Sequence, residues 1–175
     1  MLERIWSGWR SSYVSAAPVR NVDEPVEPGS VFSRLLRSGA PDSDTHIVHR
    51  GDTCFVVVNL FPYTPGHLLV VPYREVADLD GLTEQETADL WATVTDAVRV
   101  VRSVYAPDGL NVGLNLGRPA GGSVPDHLHI HVVPRWTGDS NFMSAISNTQ
   151  TLPEAIVDTA AKLRDGWTAA APDGQ

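Results

Sequence analysis

The fold of this chain follows from seven residues near its C-terminal third: His127-Leu128-His129-Ile130-His131-Val132-Val133. Because side chains in a strand alternate between its two faces, the three imidazoles share one face and Leu128, Ile130 and Val132 share the other. At a rise of about 3.3 Å per residue, successive imidazoles lie about 6.6 Å apart. The stretch around 127–133 therefore predicts a strand with one apolar face in the core and one face lined by histidine.

Three of the six histidines in the chain occupy this face, and three interpretations of them compete. A solvated polar face without chemistry is the simplest, although serine, threonine or lysine would serve there equally well. A zinc site is the second, because a His-x-His pair can bind one metal ion. Its further ligands would come from His46, His49 and His67. The third is nucleophilic catalysis, in which a neutral imidazole attacks phosphorus and forms a covalent intermediate.

A glycine-rich loop directly before this strand favours the nucleophilic interpretation. Residues 117–123 read Gly-Arg-Pro-Ala-Gly-Gly-Ser. Backbone N–H groups in such a loop can approach an anion closely, because glycine has no side chain. Ser123 and Asn115 add side-chain donors. The loop and the strand together supply a nucleophile and donors for developing negative charge, which predicts a site that processes phosphate groups.

The remaining pattern predicts an α+β fold with an antiparallel sheet. Strands are predicted at 45–49, 54–60, 67–71 and 110–116. A long helix is predicted over about 84–104, because Thr83 and Glu86 form a capping box and apolar residues recur at helical spacing. Shorter helices are predicted at about 30–38 and from Thr151–Glu154 onward. Short turns between neighbouring strands favour this architecture over a doubly wound parallel sheet.

The chain divides into three regions. Residues 1–29 contain Trp6, Trp9 and Tyr13 at the spacing of one face of a short helix, followed by a proline-rich linker over 17–29. Residues 30–168 form the predicted main domain. Residues 169–175 form a predicted flexible tail.

Composition excludes several classes of protein. The 175 residues carry a formal net charge of −8, which argues against a nucleic-acid binder. The single cysteine, Cys54, excludes a disulfide framework, and its apolar neighbours predict a buried side chain. The sequence contains no signal-peptide pattern and no apolar stretch of about 18 residues. We therefore expect a cytoplasmic protein that does not act at a membrane.

Two separated motifs resemble the histidine triad (HIT) superfamily. One is the histidine strand, which has the family pattern of three histidines alternating with apolar residues. The other is the stretch NLFPYTPGHLLVVP at residues 59–72. The resemblance covers roughly residues 30–140. It implies a HIT-like fold, which is a five-stranded antiparallel sheet with a long helix and N- and C-terminal helices, and pairing into a homodimer or higher homo-oligomer.

The resemblance also implies a role for each histidine of the triad. His129 corresponds to the nucleophile that attacks the α-phosphorus of a nucleotide. His131 corresponds to a phosphate contact, and His127 to a residue that orients the site. His67, in the second motif, is interpreted as structural.

The same resemblance implies a set of substrate-binding residues. Phosphate oxygens would be bound by Asn115, Gly122 and Ser123, and the ribose by Asn59. Leu60 and Phe61 would line the base pocket, with core packing an equal interpretation for Phe61. Trp136 would close over the substrate, with ordinary packing an equal interpretation.

A narrower likeness concerns residues 121–143, which resemble a bacterial branch that includes diadenosine tetraphosphate (Ap4A) phosphorylases. Membership of that branch implies an adenine nucleotide substrate and inorganic phosphate as acceptor, so that Ap4A and phosphate would give ATP and ADP. Three alternatives stay open: transfer to water, hydrolysis of nucleoside phosphoramidates, and nucleotide binding without turnover.

One departure from the family concerns metal. Many HIT relatives carry Cys-x-x-Cys near the start of the domain, sometimes as part of a zinc site. The corresponding stretch here is Ser30-Val31-Phe32-Ser33. We therefore expect neither structural zinc of that type nor any other cofactor.

Overall fold

The structure, a computed structural model, describes residues 28–139 and 154–170. It contains five strands: β1 (Ile47–Arg50), β2 (Cys54–Val58), β3 (Leu68–Pro72), β4 (Gly109–Leu114) and β5 (Ile130–Arg135). They form one sheet in the order β1-β2-β3-β5-β4, and every neighbouring pair is antiparallel. The predicted α+β fold is confirmed. The predicted helix around Trp6, Trp9 and Tyr13 lies outside the described residues.

Four helices accompany the sheet: α1 (Val31–Arg37), α2 (Asp42–Thr45), α3 (Glu84–Tyr105) and α4 (Ile156–Ala170). The predicted capping box at the start of α3 is present, with reciprocal bonds between Thr83 and Glu86. The short α2 was not predicted. Across residues 28–139 and 154–170, the structure has no helix of the length and apolar character that spanning a membrane requires.

Two predicted boundaries at the C-terminal end are wrong. Helix α4 begins at Ile156 rather than at Thr151–Glu154, and it continues through Ala170. Residues 169 and 170 therefore belong to the helix and not to the tail, since alanine is the strongest helix former. The predicted apolar face of this helix is confirmed, because Ala160 and Leu163 are buried and Trp167 packs against the same core.

The main core lies between one face of the sheet and helices α3 and α4. Buried side chains from four strands meet Leu90, Val94, Ala97 and Val101 of α3 there. Leu128, Ile130 and Val132 all belong to this core, as the alternation in the histidine stretch predicts. Cys54 is also buried in it.

The histidine strand is shorter than predicted. Both of its ladders end at Ile130, which pairs with Val70 of β3 and with Leu114 of β4. His127, Leu128 and His129 therefore precede β5, although they keep the alternation of a strand.

The face of the sheet opposite the main core carries a smaller apolar cluster. Phe32 of α1 packs there with Ile47, Phe55, Val57, Leu69 and Val71.

The turn between β2 and β3 is held by close packing at Gly66. This glycine has φ +81°, in the left-handed region. A Cβ atom added there would lie 2.9 Å from the ring of Tyr105. The turn therefore needs glycine both for its backbone conformation and for the approach of α3.

We predict that Gly66→Ala lowers the free energy of unfolding by about 2–4 kcal/mol, because it combines left-handed strain with overpacking. Gly39→Ala is the matched control, since Gly39 has φ +66° and open space around its added Cβ. The control should lose only about 1 kcal/mol. Urea denaturation of both variants measures the difference. Equal losses would show that the contact with Tyr105 does not contribute.

Candidate active site

His127 is fully buried, and both of its ring nitrogens have partners. Nε2 lies 2.8 Å from the carbonyl oxygen of Pro72, at the end of β3. Because a carbonyl only accepts hydrogen bonds, Nε2 carries the proton. Nδ1 lies 2.6 Å from the hydroxyl of Ser30, so the hydroxyl donates to the Nδ1 lone pair. Burial lowers the pKa of His127, which favours this neutral form.

His129 is oriented by the backbone of His127. Its Nδ1 lies 2.9 Å from the carbonyl oxygen of His127, so Nδ1 carries the proton and Nε2 carries a lone pair. Burial lowers the pKa of His129, which keeps that lone pair available near neutral pH. The ring of Phe32 packs against both imidazoles, with centroid distances of 5.4 Å to His127 and 5.3 Å to His129.

The two ring nitrogens of His131 have the reverse roles of those in His129: Nδ1 accepts a hydrogen bond and Nε2 carries the proton. A second chain of hydrogen bonds determines this arrangement. The backbone N–H of Tyr63 donates to Nδ1 of His67 over 3.1 Å. Nε2 of His67 therefore carries its proton and donates to Nδ1 of His131 over 2.9 Å. The remaining proton of His131 lies on Nε2, a buried atom with no hydrogen-bond partner among the described residues.

Both histidines of this second chain are held neutral. Burial, followed by the charges of neighbouring histidines, lowers the pKa of His67 to about 3. Burial and the charge of His129 lower the pKa of His131 to about 4. The rings of His129 and His131 lie with centroids 5.1 Å apart. A lone pair on one ring and an N–H donor on the next suit attack on a phosphoryl group.

Asn59, on the turn after β2, lies beside this cluster. Its backbone N–H donates to the carbonyl of His67 over 3.0 Å, and its Nδ2 lies 3.4 Å from each ring nitrogen of His67. Its Oδ1 accepts from the N–H of Phe61. The next two side chains point outward, with Leu60 52% and Phe61 68% exposed. The interpretation that Phe61 packs in the core is therefore wrong.

The loop residues predicted to bind phosphate follow β4, which ends at Leu114 opposite Ile130 of β5. Gly113 pairs with His131, and Asn115 is the first residue beyond the strand. Gly122 lies against this segment, because an added Cβ would be 3.4 Å from the carbonyl oxygen of Asn115. Ser123 follows and is exposed.

Trp136 lies one residue beyond the end of β5. It is half-buried and packs edge-on against Tyr105 of α3, with ring centroids 6.4 Å apart. This contact places the ring beside α3. Among the described residues, it agrees with the interpretation that Trp136 packs against the fold.

The sequence did not reveal two residues of the cluster, nor the direct partner of a third. His67, which was interpreted as structural, bonds directly to His131. Tyr63 orients His67 through its backbone N–H, a contact that no residue type reveals. In the sequence, Ser30 was identified only as part of the stretch at the position of the family's Cys-x-x-Cys; the structure shows it as the N-cap of α1 and as a partner of His127.

The position of the family's Cys-x-x-Cys is occupied by hydrogen-bonding groups. Zinc in proteins is bound by cysteine, histidine and carboxylate ligands, and serine hydroxyls are not among them. Here Ser30 bonds to His127, and Ser33 donates to Glu75 over 2.5 Å. No group of three or more potential ligands is arranged around a metal position within residues 28–139 and 154–170.

An antiparallel sheet with buried, alternating histidines defines an α+β protein of the histidine triad class. The chain belongs to the HIT family, whose HIT domain matches residues 40–138. The solved structure of a Zn-bound histidine triad family protein from Mycobacterium smegmatis is similar, with a TM-score of 0.65 and 26% identity, covering 81% of this chain and 94% of that one.

Relatives of established name match much of the sequence. The AP-4-A phosphorylase of Mycobacterium tuberculosis is 44% identical over 167 residues, which is 95% of this chain and 85% of that protein. The asymmetrical bis(5'-nucleosyl)-tetraphosphatase of Schizosaccharomyces pombe is 37% identical over 95 residues, which is 54% of this chain and 52% of that protein.

We predict that the protein becomes less stable as the pH falls from about 6.5 toward 4. Unfolded histidine has a pKa of about 6.5, whereas the pKa of His131 is about 4 and that of His67 about 3 in the folded chain. Within this window the unfolded chain binds more protons than the folded chain, so acid favours unfolding. The stability is fully present above pH 6.5. Thermal midpoints at stepped pH values measure the loss.

Carboxylates also titrate toward the acid end of this window, so a variant is needed to isolate the imidazole contribution. His131→Gln removes one of the two groups with a large shift. Its midpoint should fall less than that of the wild type between pH 6.5 and 4. A parallel fall in both proteins would contradict the assignment to His131.

Proposed function

We propose that this protein is an enzyme that transfers an adenylyl group from Ap4A to inorganic phosphate through a covalent intermediate on His129. The observation that carries the proposal is the tautomer of His129, whose proton bonds to the carbonyl of His127 and leaves Nε2 with a lone pair. The 44% identity with the AP-4-A phosphorylase of Mycobacterium tuberculosis supports the choice of substrate and acceptor.

In the first half of the reaction, Nε2 of His129 attacks the α-phosphorus of Ap4A. The new P–N bond forms as the bond from the α-phosphorus to the bridging oxygen breaks, and ATP leaves. His131 presents its Nε2–H to a phosphate oxygen and stabilises the charge that develops there. Splitting the displacement into two steps replaces one difficult reaction with two easier ones.

In the second half, an oxygen of inorganic phosphate attacks the same phosphorus. The P–N bond breaks, ADP forms, and His129 regains its neutral ring. We propose that Asn115, Gly122 and Ser123 bind phosphate oxygens and that Asn59 contacts the ribose. Leu60 would contact the base, since it is exposed beside Asn59.

We predict that the wild-type protein converts Ap4A into ATP and ADP in equal amounts only when inorganic phosphate is present. His129→Ala should lower this activity by roughly three orders of magnitude or more, because the nucleophile is lost. Anion-exchange separation of the nucleotides measures the products. Intact mass spectrometry without phosphate should detect one adenylyl group on the wild type.

The matched control is His49→Ala, since His49 stacks on Trp167 outside the cluster. Its activity should stay close to that of the wild type. Formation of AMP and ATP regardless of phosphate would instead identify a hydrolase. A folded wild type that turns over no adenylyl compound would contradict the enzymatic proposal and favour a nucleotide-binding module.

We also propose that the protein forms a homodimer through β4. This strand is one edge of the sheet, and Val112 on it is 41% exposed. The other edge, β1, has an irregular register, and Arg164 of α4 donates to the carbonyl of Ile47. An open edge strand is a template for pairing with another chain, whereas an irregular and covered one is not.

We predict that Val112→Lys shifts the protein from dimer to monomer, because a charged side chain on an edge strand opposes pairing. Light scattering coupled to size exclusion measures the mass. Val157→Lys is the control, since Val157 is 54% exposed on α4, away from that edge. A wild type that is monomeric at high concentration would refute the dimer.

Residues 30–168 are proposed as the catalytic domain; helix α4 packs into the main core and runs two residues past this boundary, to Ala170. The family match over residues 40–138 supports the central part of this range. The cytoplasmic location stays a prediction.

A further inference from the structure

A chain of hydrogen bonds runs from an exposed carboxylate to the triad. Oε2 of Glu75 accepts from the backbone N–H of Ser30 over 2.9 Å and from the hydroxyl of Ser33 over 2.5 Å. The hydroxyl of Ser30 lies 2.6 Å from Nδ1 of His127. His127 in turn accepts the proton of His129 on its backbone carbonyl.

The direction of each bond in this chain is determined. Ser33 gives its only hydroxyl proton to Glu75, so it cannot donate to Ser30. The Ser30 oxygen already accepts from the backbone N–H of Ser33. The proton of Ser30 has two acceptors within reach, the hydroxyl oxygen of Ser33 at 3.2 Å and Nδ1 of His127 at 2.6 Å. It is directed at His127, because that contact is the shorter and because Nδ1 must accept while Nε2 donates to Pro72.

Residues 72–76, at the end of β3 and just after it, make several hydrogen bonds that position His127. The carbonyl of Pro72 accepts from the ring, and the carbonyl of Val76 accepts from the N–H of Leu128 over 2.6 Å. Glu75 lies between these two contacts and binds Ser30. Three residues within five positions of the chain therefore determine where His127 lies.

We propose that Ser30 and Glu75 are positioning residues for the nucleophile: Glu75 holds Ser30, Ser30 orients the ring of His127, and His127 orients His129. This inference rests on the proposed function, because it assumes that His129 is the nucleophile. Neither residue touches the reacting atoms. Their effect passes through the geometry of His127, and a small displacement of a nucleophile can cost a large factor in rate.

Two further observations support this role. Ser30 is only 8% exposed, so its hydroxyl acts where water does not compete. The hydrogen bonds from Ser33 and Ser30 lower the pKa of Glu75, so its carboxylate stays charged and accepts both bonds near neutral pH.

The test compares Ser30→Ala and Ser30→Thr with the wild type in the Ap4A assay. Ser30→Ala should lower kcat about tenfold and leave KM within about twofold, because positioning of the nucleophile is lost and the substrate contacts remain. Ser30→Thr keeps a hydroxyl and should restore most of kcat. Ser38→Ala, at the exposed end of α1, is the matched control and should behave like the wild type.

A spectroscopic readout checks the hydrogen bond itself. In protein labelled with ¹⁵N-histidine, Ser30→Ala should move the Nδ1 resonance of His127 toward that of an unbonded nitrogen and should also change the ring resonances of His129. A purely structural N-cap would leave both unchanged. If Ser30→Ala does not fold, Ser30→Gly replaces it, because glycine is tolerated at an N-cap.

The contribution of Glu75 is tested by non-additivity. Glu75→Ala should lower kcat in the same direction, and the double variant with Ser30→Ala should lose no more than Ser30→Ala alone. Additive losses would overturn the role of Glu75.

The possible failures are distinguishable. A kcat for Ser30→Ala within twofold of the wild type overturns the positioning role, whatever the spectra show. An inactive wild type refutes the proposed function instead. The spectra then decide the positioning of the rings alone: unchanged resonances of His127 and His129 overturn it, and changed ones support it.

Discussion

Withdrawal of four imidazole rings from water on one face of the sheet, three of them buried and that of His131 half-buried, is the constraint on which the site depends. A buried imidazole stays neutral, so each ring has one donor and one acceptor. Backbone groups then determine which ring nitrogen donates and which accepts: the carbonyls of Pro72 and His127 each accept a hydrogen bond, and the N–H of Tyr63 donates one. As a result, Nε2 of His129 carries a lone pair and Nε2 of His131 carries a proton. The main chain therefore sets the chemistry of the site.

The main core and the histidine cluster lie on opposite faces of the sheet. One face packs against α3 and α4 in the main core, and the other bears the histidines under α1. Strands β3 and β5 are adjacent, which brings His67 within reach of His131. Next to them, Gly113 of β4 pairs with His131, and a Cβ added at Gly113 would meet no atom of the described residues within 4 Å.

Local pattern was enough to predict the sheet, the capping box of α3 and the alternation that brings the triad to one face, because each depends on residues close in sequence. The early end of the β5 ladder was not predictable, since it depends on where two partner strands stop. The roles of Tyr63 and Pro72 were equally hidden, because backbone atoms carry them and any residue supplies those. Ser30 was identified only at the position of the family's Cys-x-x-Cys, and its partner His127 lies in a different part of the chain.

The hydrogen bond between Ser30 and His127 joins residues 97 positions apart. A contact of such long sequence separation raises the contact order of the fold. It requires α1 to lie against the ends of β3 and β5, because Pro72 and His127 come from those strands or their ends. Without β3 and the residue before α1, His127 lacks both partners that select its tautomer. That tautomer is thus a property of the assembled fold and not of the histidine stretch by itself.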